Sequence, residues 1–312
     1  MDSQKRLVIV TLLSAAFVML VASTQLPGHR VINTTTKVYP YEDVRSLSID
    51  SDVFYEASQS LLKSGTSTQT EIPSAHAYLV GNIKTGTIYI EHNSVVPLPV
   101  ASMSKLITSI AAMDTIDSSI ILKIADDISV IPTDGSNLKP GEQFTLDEIL
   151  QPLLLDSSNV AAETIASSSN NRAQFMELMS SYAWEVGMPS SFFADPSGLS
   201  PRNIASARDM FALAQYLYKS RPEILAITRI AHTSLATTTE HGFHDIVSTH
   251  PFAGDSRFIG GKTGRTTAAG ETMLTMLNIN DQPIAFVVMG SDLGAREYDT
   301  RLLMKKLEKM SR

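Results

Sequence analysis

The chain has 312 residues, room for one large domain or two small ones, and its 43% hydrophobic and 18% charged content is that of a globular protein with a sizeable core. A formal net charge of −7, with no basic cluster away from the C-terminal end, excludes an electrostatic footprint for nucleic acid. Cysteine is absent, which removes disulfides, thiol catalysis, Cys-based zinc sites and a lipidated N-terminal cysteine.

Lys5 and Arg6 precede an uncharged apolar run from Leu7 to Ser23. The run is longer than the roughly 7–15 residues of a signal-peptide core and shorter than the roughly 20 of a spanning helix. Residues 1–23 are therefore read as a signal peptide or an N-terminal membrane anchor, with Val21-Ala22-Ser23 as the candidate cleavage site. Either way, the cations before the run send the rest of the chain across the membrane. Residues 24–70 are read as a spacer and a leading helix, Asp50 to Lys63, capped by Asp50 or Ser51 and lined by Val53, Ala57, Ser60 and Leu61.

Ala75 to Gly81 and Thr87 to Glu91 alternate as strands about the turn Asn82 to Gly86, which predicts a hairpin. Ser102 to Met113 is apolar on nearly every face, so this helix is expected inside the core. Asp117 to Gly141 is loop-rich. From Thr145 the pattern is helical: Leu146, Ile149, Leu150, Leu153 and Leu154 mark one amphipathic helix, and Asn159 to Ala166 starts another. Arg172 to Val186 is the next, closed by Gly187. After a loop, Phe192 to Pro201, come helices Ala205 to Lys219 and Glu223 to Ile230. Arg257 to Gly264, Glu271 to Asn278 and Pro283 to Gly290 read as antiparallel strands, and Arg296 to Met310 as a closing helix. Strands at both ends with helices between predict an α/β protein (an α+β sandwich). Its antiparallel sheet is flanked by helices and carries an inserted all-helical lobe at about 117–235, within a catalytic domain at 71–312.

Ser102 and Lys105, three apart, share one face of the first turn of the apolar helix. At that end of a buried helix, the dipole and the loss of water both push a lysine toward its neutral form. A neutral lysine beside a serine is a general base beside a nucleophile. The spacing alone is weak evidence, because Ser60 to Lys63 and Ser136 to Lys139 match it equally. Lys-Thr-Gly also occurs twice. Lys84-Thr85-Gly86 is a hairpin tip, whereas Lys262-Thr263-Gly264 comes after Gly260-Gly261 on a strand, where glycines permit close approach to the backbone. A phosphate-loop reading of Gly261-Lys262-Thr263 fails, because position 256 is Ser instead of Gly. Ser157-Ser158-Asn159, taken singly, is a helix start, as is Ser168-Ser169-Asn170.

The combination carries more weight. Ser-x-x-Lys at 102, Ser-x-Asn at 157 and Lys-Thr-Gly at 262 stand in the order of the signatures of penicillin-binding proteins and class A β-lactamases. Pro97 to Lys105 resembles the first motif of the serine-type D-Ala-D-Ala carboxypeptidases, the low-molecular-mass penicillin-binding proteins. Leu138 to Glu142 and Leu153 to Asn159 resemble the approach to its second motif, and Gly260 to Gly264 its third. Asp195 to Ser200 and Ser206 to Asp209 look like its helical-lobe signature. The resemblance runs from about Ala75 to Leu307, with Ser158 where the family often has Gly and Arg265 where it often has His or Tyr. Many members continue into a second, β-rich domain; this chain resembles the single-domain branch.

The resemblance implies a β-lactamase/DD-peptidase-like fold and a bacterial, extracytoplasmic enzyme, in the periplasm or at the outer face of the cytoplasmic membrane. Its substrate would be the D-Ala-D-Ala end of a peptidoglycan stem peptide, its inhibitors β-lactams, and no metal or cofactor is implied. Ser102 would be acylated and Lys105 would take its proton. Ser157 would relay a proton to the leaving nitrogen, Asn159 would hold Lys105 and substrate, and Lys262 would supply positive field. Backbone N–H groups of Ser102 and Arg265 would form the oxyanion hole, and Thr263, with Gly264 beside it and by weaker match Arg296, would bind the terminal carboxylate. A DD-endopeptidase acting on cross-links shares every one of these motifs. A class A β-lactamase would need a Glu after the second motif, and residues 190–203 contain none. A non-catalytic wall-binding protein would have lost a motif, and all three stand. His241, His244 and His250 are read as part of a polar hairpin in preference to a metal site, and Lys305, Lys306 and Lys309 as the solvated face of the last helix.

Overall fold

In the computed structural model a hairpin of β1 (Ala77–Asn82) and β2 (Ile88–His92) comes first. The structure describes residues 72–129, 131, 136–169 and 171–310, all within one unit, Asp50–Arg312. The expected signal or anchor segment, the spacer and the leading helix with Ser60 lie outside the described residues. Strand β3 (Leu98–Pro99) leads into a 3-10 turn, Ala101–Ser104, and helix α1 (Lys105–Thr115). Short strands β4 (Leu122–Lys123) and β5 (Gln143–Phe144) pair with each other. The helical lobe continues with α2 (Leu146–Leu154), α3 (Asn159–Ser168) and α4 (Arg172–Val186). Then come β6 (Ile204–Ala205), paired with β3, and helices α5 (Ala207–Ser220) and α6 (Pro222–Thr228). A second hairpin, β7 (His232–Leu235) and β8 (His244–Val247), precedes the long strands β9 (Phe258–Thr266), β10 (Gly270–Ile279) and β11 (Gln282–Ser291). Helix α7 (Arg296–Met310) ends the described chain.

The main sheet is antiparallel, ordered β2-β1-β11-β10-β9, so the two ends of the domain meet at β1 and β11 and β9 is left as an edge. Strand β11 is apolar from Pro283 to Met289 without alternation because both its faces are covered. On one side Phe286, Val288, Met273 and Phe258 pack against Leu303 and Leu307 of α7. On the other, Ala285, Val287, Leu274 and Met276 join the core of the helical lobe with Leu106, Ile107 and Ile110 of α1. Every residue of α1 from Lys105 to Ala112 is buried, as its unbroken apolar pattern predicts.

Caps explain much of the lobe. Thr145 and Glu148 form a capping box on α2, and Ser206 and Asp209 form another on α5. The Ser206 to Asp209 signature is thus a helix start, while Arg208 within it reaches Glu91 of β2 at 2.9 Å. Helix α4 ends at Gly187, whose φ of +94° favours glycine. One expectation is corrected: Ser102 sits in a 3-10 turn rather than in the α-helix. Ala101 enters that turn at φ +48°, and Ser104 Oγ donates back to the Ala101 carbonyl at 2.8 Å, which competes with regular helix hydrogen bonding.

Candidate active site

The edge strand β9 faces the 3-10 turn, and glycine is what lets the two backbones meet. A Cβ on Gly264 would lie 2.9 Å from both Ala101 Cβ and the Ser102 nitrogen. Thr272, beside it on β10, donates from Oγ1 to the Val100 carbonyl at 3.1 Å. The nucleophile candidate is therefore clamped against the strand that carries Lys262.

Lys105 is wholly buried, with its Nζ 2.9 Å from Ser102 Oγ, 2.9 Å from Asn159 Oδ1 and 2.7 Å from the Ser197 carbonyl. Two of these neighbours can only accept hydrogen bonds. A neutral amine has two N–H bonds and one lone pair. As the ammonium, Nζ donates to all three oxygens; as the neutral amine, with its N–H bonds kept on Asn159 and Ser197, it would turn its lone pair to the Ser102 hydroxyl. That is the orientation a general base needs.

Asn159 reaches Lys105 because it opens α3, where Ser158 caps the helix by accepting from the Ala161 N–H at 3.0 Å. Just before it, the Ser158 N–H bonds the Pro152 carbonyl at 2.8 Å, and Ser157 takes up φ +71° as the chain reverses. Holding a non-glycine residue there costs of order 1–3 kcal/mol and marks a place where tertiary structure overrides local preference. The result puts Ser157 Oγ 2.8 Å from Lys262 Nζ. Lys262 also donates to the Thr263 carbonyl at 3.2 Å. Its pKa is pushed well below the ordinary lysine value, first by burial and then by the charge of Lys105, with Asp156 opposing. The coupling is mutual, so a proton on one amine discourages a proton on the other.

The remaining expected residues divide. Thr263 is buried, and its Oγ1 lies 2.8 Å from Thr249 Oγ1, which in turn donates to the Leu155 carbonyl at 3.2 Å. Arg265 is exposed at the end of β9. Arg296 stands behind the strand, donating to the Gly264 carbonyl at 3.0 Å, with Glu271 3.9 Å away and its side chain 22% exposed. Burial lowers its pKa, with Glu271 opposing and Arg265 adding to the lowering. The rival sites fall elsewhere. Lys84 and Lys139 are exposed, and Ser136 takes a hydrogen bond from Ser158 Oγ at 2.9 Å.

His241 and His244 lie beside Glu148 and Glu142 at 3.5 and 3.2 Å. His250 packs separately beneath Gly261, its Nε2 3.0 Å from the Leu274 carbonyl. Among the described residues no group of three or more His, Cys, Asp or Glu is arranged to hold a metal ion. Sequence reasoning missed the Ser197 carbonyl and Thr249. A main-chain carbonyl has no residue-type signature, and a lone threonine before a strand has no pattern.

Residues 63–293 match the peptidase S11 family, described as D-alanyl-D-alanine carboxypeptidase. A D-alanyl-D-alanine endopeptidase of Escherichia coli (strain K12) is 31% identical over 240 residues, 72% of this chain and 73% of that protein. A D-alanyl-D-alanine endopeptidase of Pseudomonas aeruginosa is 28% identical over 246 residues, 73% of this chain and 74% of that protein. The fold is shared with penicillin-binding protein D2 of Listeria monocytogenes in its ampicillin-bound form. That likeness has a TM-score of 0.64 at 23% identity and covers 76% of this chain and 98% of that one.

Proposed function

The chain belongs to the D-alanyl-D-alanine carboxypeptidase family of peptidases, and from its site we propose that it cleaves D-alanyl peptide bonds of peptidoglycan stem peptides through an acyl-serine at Ser102. The observation that carries this reading is the buried Lys105 Nζ 2.9 Å from Ser102 Oγ, held beside it by the Asn159 and Ser197 oxygens at 2.9 and 2.7 Å.

The steps follow the roles that the family resemblance and the chemistry of these groups imply. Lys105 takes the Ser102 proton as Oγ attacks the carbonyl carbon. Charge develops on the carbonyl oxygen next to the Ser102 and Arg265 amides, where one well-placed donor is worth about 2.7–4 kcal/mol. Ser157, held by Lys262, hands a proton to the departing nitrogen, and water then releases the acyl group. A β-lactam presents the same carbonyl and acylates the same oxygen. On this reading the domain works outside the cytoplasmic membrane, a location supported by Lys5, Arg6 and the apolar run behind them.

Two leaving groups fit the site. Release of a terminal D-Ala, the carboxypeptidase reading, is supported by the family match over residues 63–293. Splitting of a cross-link, the endopeptidase reading, is supported by the two relatives named endopeptidases. A cross-link made on the D-centre of a diamino acid carries its carboxylate at the same distance from the scissile amide. Arg296 therefore serves either substrate, and the relatives tip the reading toward the endopeptidase.

The test is labelling of the purified chain with fluorescent penicillin, which Ser102→Ala should abolish. Labelling that survives this change overturns the assignment. Comparing kcat/KM for D-Ala release from a pentapeptide with that for cleavage of a cross-linked dimer decides the subtype, and a higher value for the pentapeptide overturns the endopeptidase reading.

A further inference from the structure

We propose that Asp195 is a positioning residue for the general base, acting through the loop that aims the Ser197 carbonyl at Lys105 Nζ; the inference rests on the acyl-serine reading above. The carboxylate is the centre of that loop. Its Oδ1 accepts from the Ser197 N–H and Oγ, both at 2.8 Å, from the Gly198 N–H at 2.6 Å and from the Leu199 N–H at 3.3 Å. Its Oδ2 accepts from the Ser200 N–H at 2.5 Å. Hydrogen bonds to an ionised acceptor are roughly twice as strong as neutral ones, so one side chain organises the whole reversal.

The loop is also fastened to the catalytic turn. Thr108 Oγ1 of α1 donates to the Pro196 carbonyl at 2.6 Å. Asn203 accepts from the Asp195 N–H at 3.1 Å and donates to the Asp195 carbonyl at 2.8 Å and to Ser104 Oγ at 2.9 Å. Gly198, at φ +90°, lies so close that a Cβ would fall 1.9 Å from the Ala101 carbonyl. These contacts press the loop onto the residues either side of Ser102 and leave the Ser197 carbonyl 2.7 Å from Lys105 Nζ.

The consequence is specific to the base. If the Ser197 carbonyl drifts, its 2.7 Å contact with Lys105 Nζ is lost and the amine is no longer held in line with Ser102. A misplacement of about 1 Å in a reacting group costs on the order of a hundredfold in rate. The same carbonyl favours the ammonium over the amine, because a charged donor bonds it more strongly. Losing it should therefore slow acylation and also make Lys105 easier to deprotonate.

The experiment measures the second-order rate of penicillin acylation against pH for the purified full chain, Asp195→Ala and Asp195→Asn, each normalised to active-site titre. For Asp195→Ala the plateau should fall about a hundredfold. Its acid limb, which reports the coupled Lys105–Lys262 pair, should move to lower pH. Asp195→Asn keeps an acceptor for Ser197 and Gly198 but presents an amide to the Ser200 N–H, so it should fall between the two. If Asp195→Ala does not fold, Asp195→Asn is judged by the same two readouts. A rate per active site and a limb equal to wild type would overturn the proposal, as would a slower rate with an unmoved limb. A wild-type chain that is not acylated at all would instead remove the function proposed above.

Discussion

Lys105 and Lys262 are buried to the same degree, at 0% and 1% exposure, yet their neighbours differ. Lys105 faces two acceptors that cannot donate and a hydroxyl that can. Lys262 faces the Ser157 hydroxyl and the carbonyl of Thr263, with Asp156 near enough to oppose the lowering of its pKa. On the reading proposed above, the first arrangement serves a general base and the second holds the Ser157 hydroxyl in place. Burial alone does not make a lysine a base; the donor and acceptor character of what surrounds it does.

Exchanging each amine for a guanidinium breaks this comparison, since arginine keeps its charge but does not deprotonate. Lys105→Arg should lower the acylation rate by about 10³-fold or more, the general-base contribution, as read by stopped-flow labelling with fluorescent penicillin. Equal losses at both lysines would mean the two are not functionally distinct.

The Lys262 side has a second, acid-sensitive component. His250 packs under Gly261, and burial, reinforced by the charges of Lys262 and Arg296, pushes its pKa down to about 3 from 6.5. Its folded pKa is depressed, so its contribution to stability is complete above about pH 6.5 and is lost as pH falls toward about 3. At about 1.4 kcal/mol per pH unit, this one group should remove about 2–3 kcal/mol between about pH 7 and about pH 4.5. Denaturant titrations at the two pH values check this, and His250→Asn should flatten that part of the profile. An unchanged difference would mean His250 does not titrate with unfolding. Lys262→Arg should have the smallest effect, about 10- to 100-fold on acylation, because one charged hydrogen bond of about 1.5–3 kcal/mol is weakened while the field remains. A loss as large as that of Lys105→Arg would make Lys262 the base.

Long elements were legible in the sequence. The unbroken apolar pattern of α1, the Gly187 stop of α4 and the bounds of α7 all come from periodicity and caps that lie within a few residues of one another. Strands β3 and β6 were not legible, since two residues have no period. The 3-10 turn at Ser102 was missed because it depends on a positive φ at Ala101 and a loop packed from the far side by Gly198.

The sequence by itself determined which residue types the chemistry has available and in what order, because motif spacing and helix starts are local properties. It also determined the alternation of sheet and helical segments that sets the architecture. Only the tertiary structure decided that Lys105 Nζ comes within 2.9 Å of Ser102 Oγ and that a backbone carbonyl from residue 197 lies 2.7 Å from the same amine. It also decided that Lys262 arrives on an edge strand against the same turn. Those outcomes depend on closing the sheet between β1 and β11 and on docking loops far apart in the chain. The direction in which a lone pair points is fixed only when every neighbour is in place.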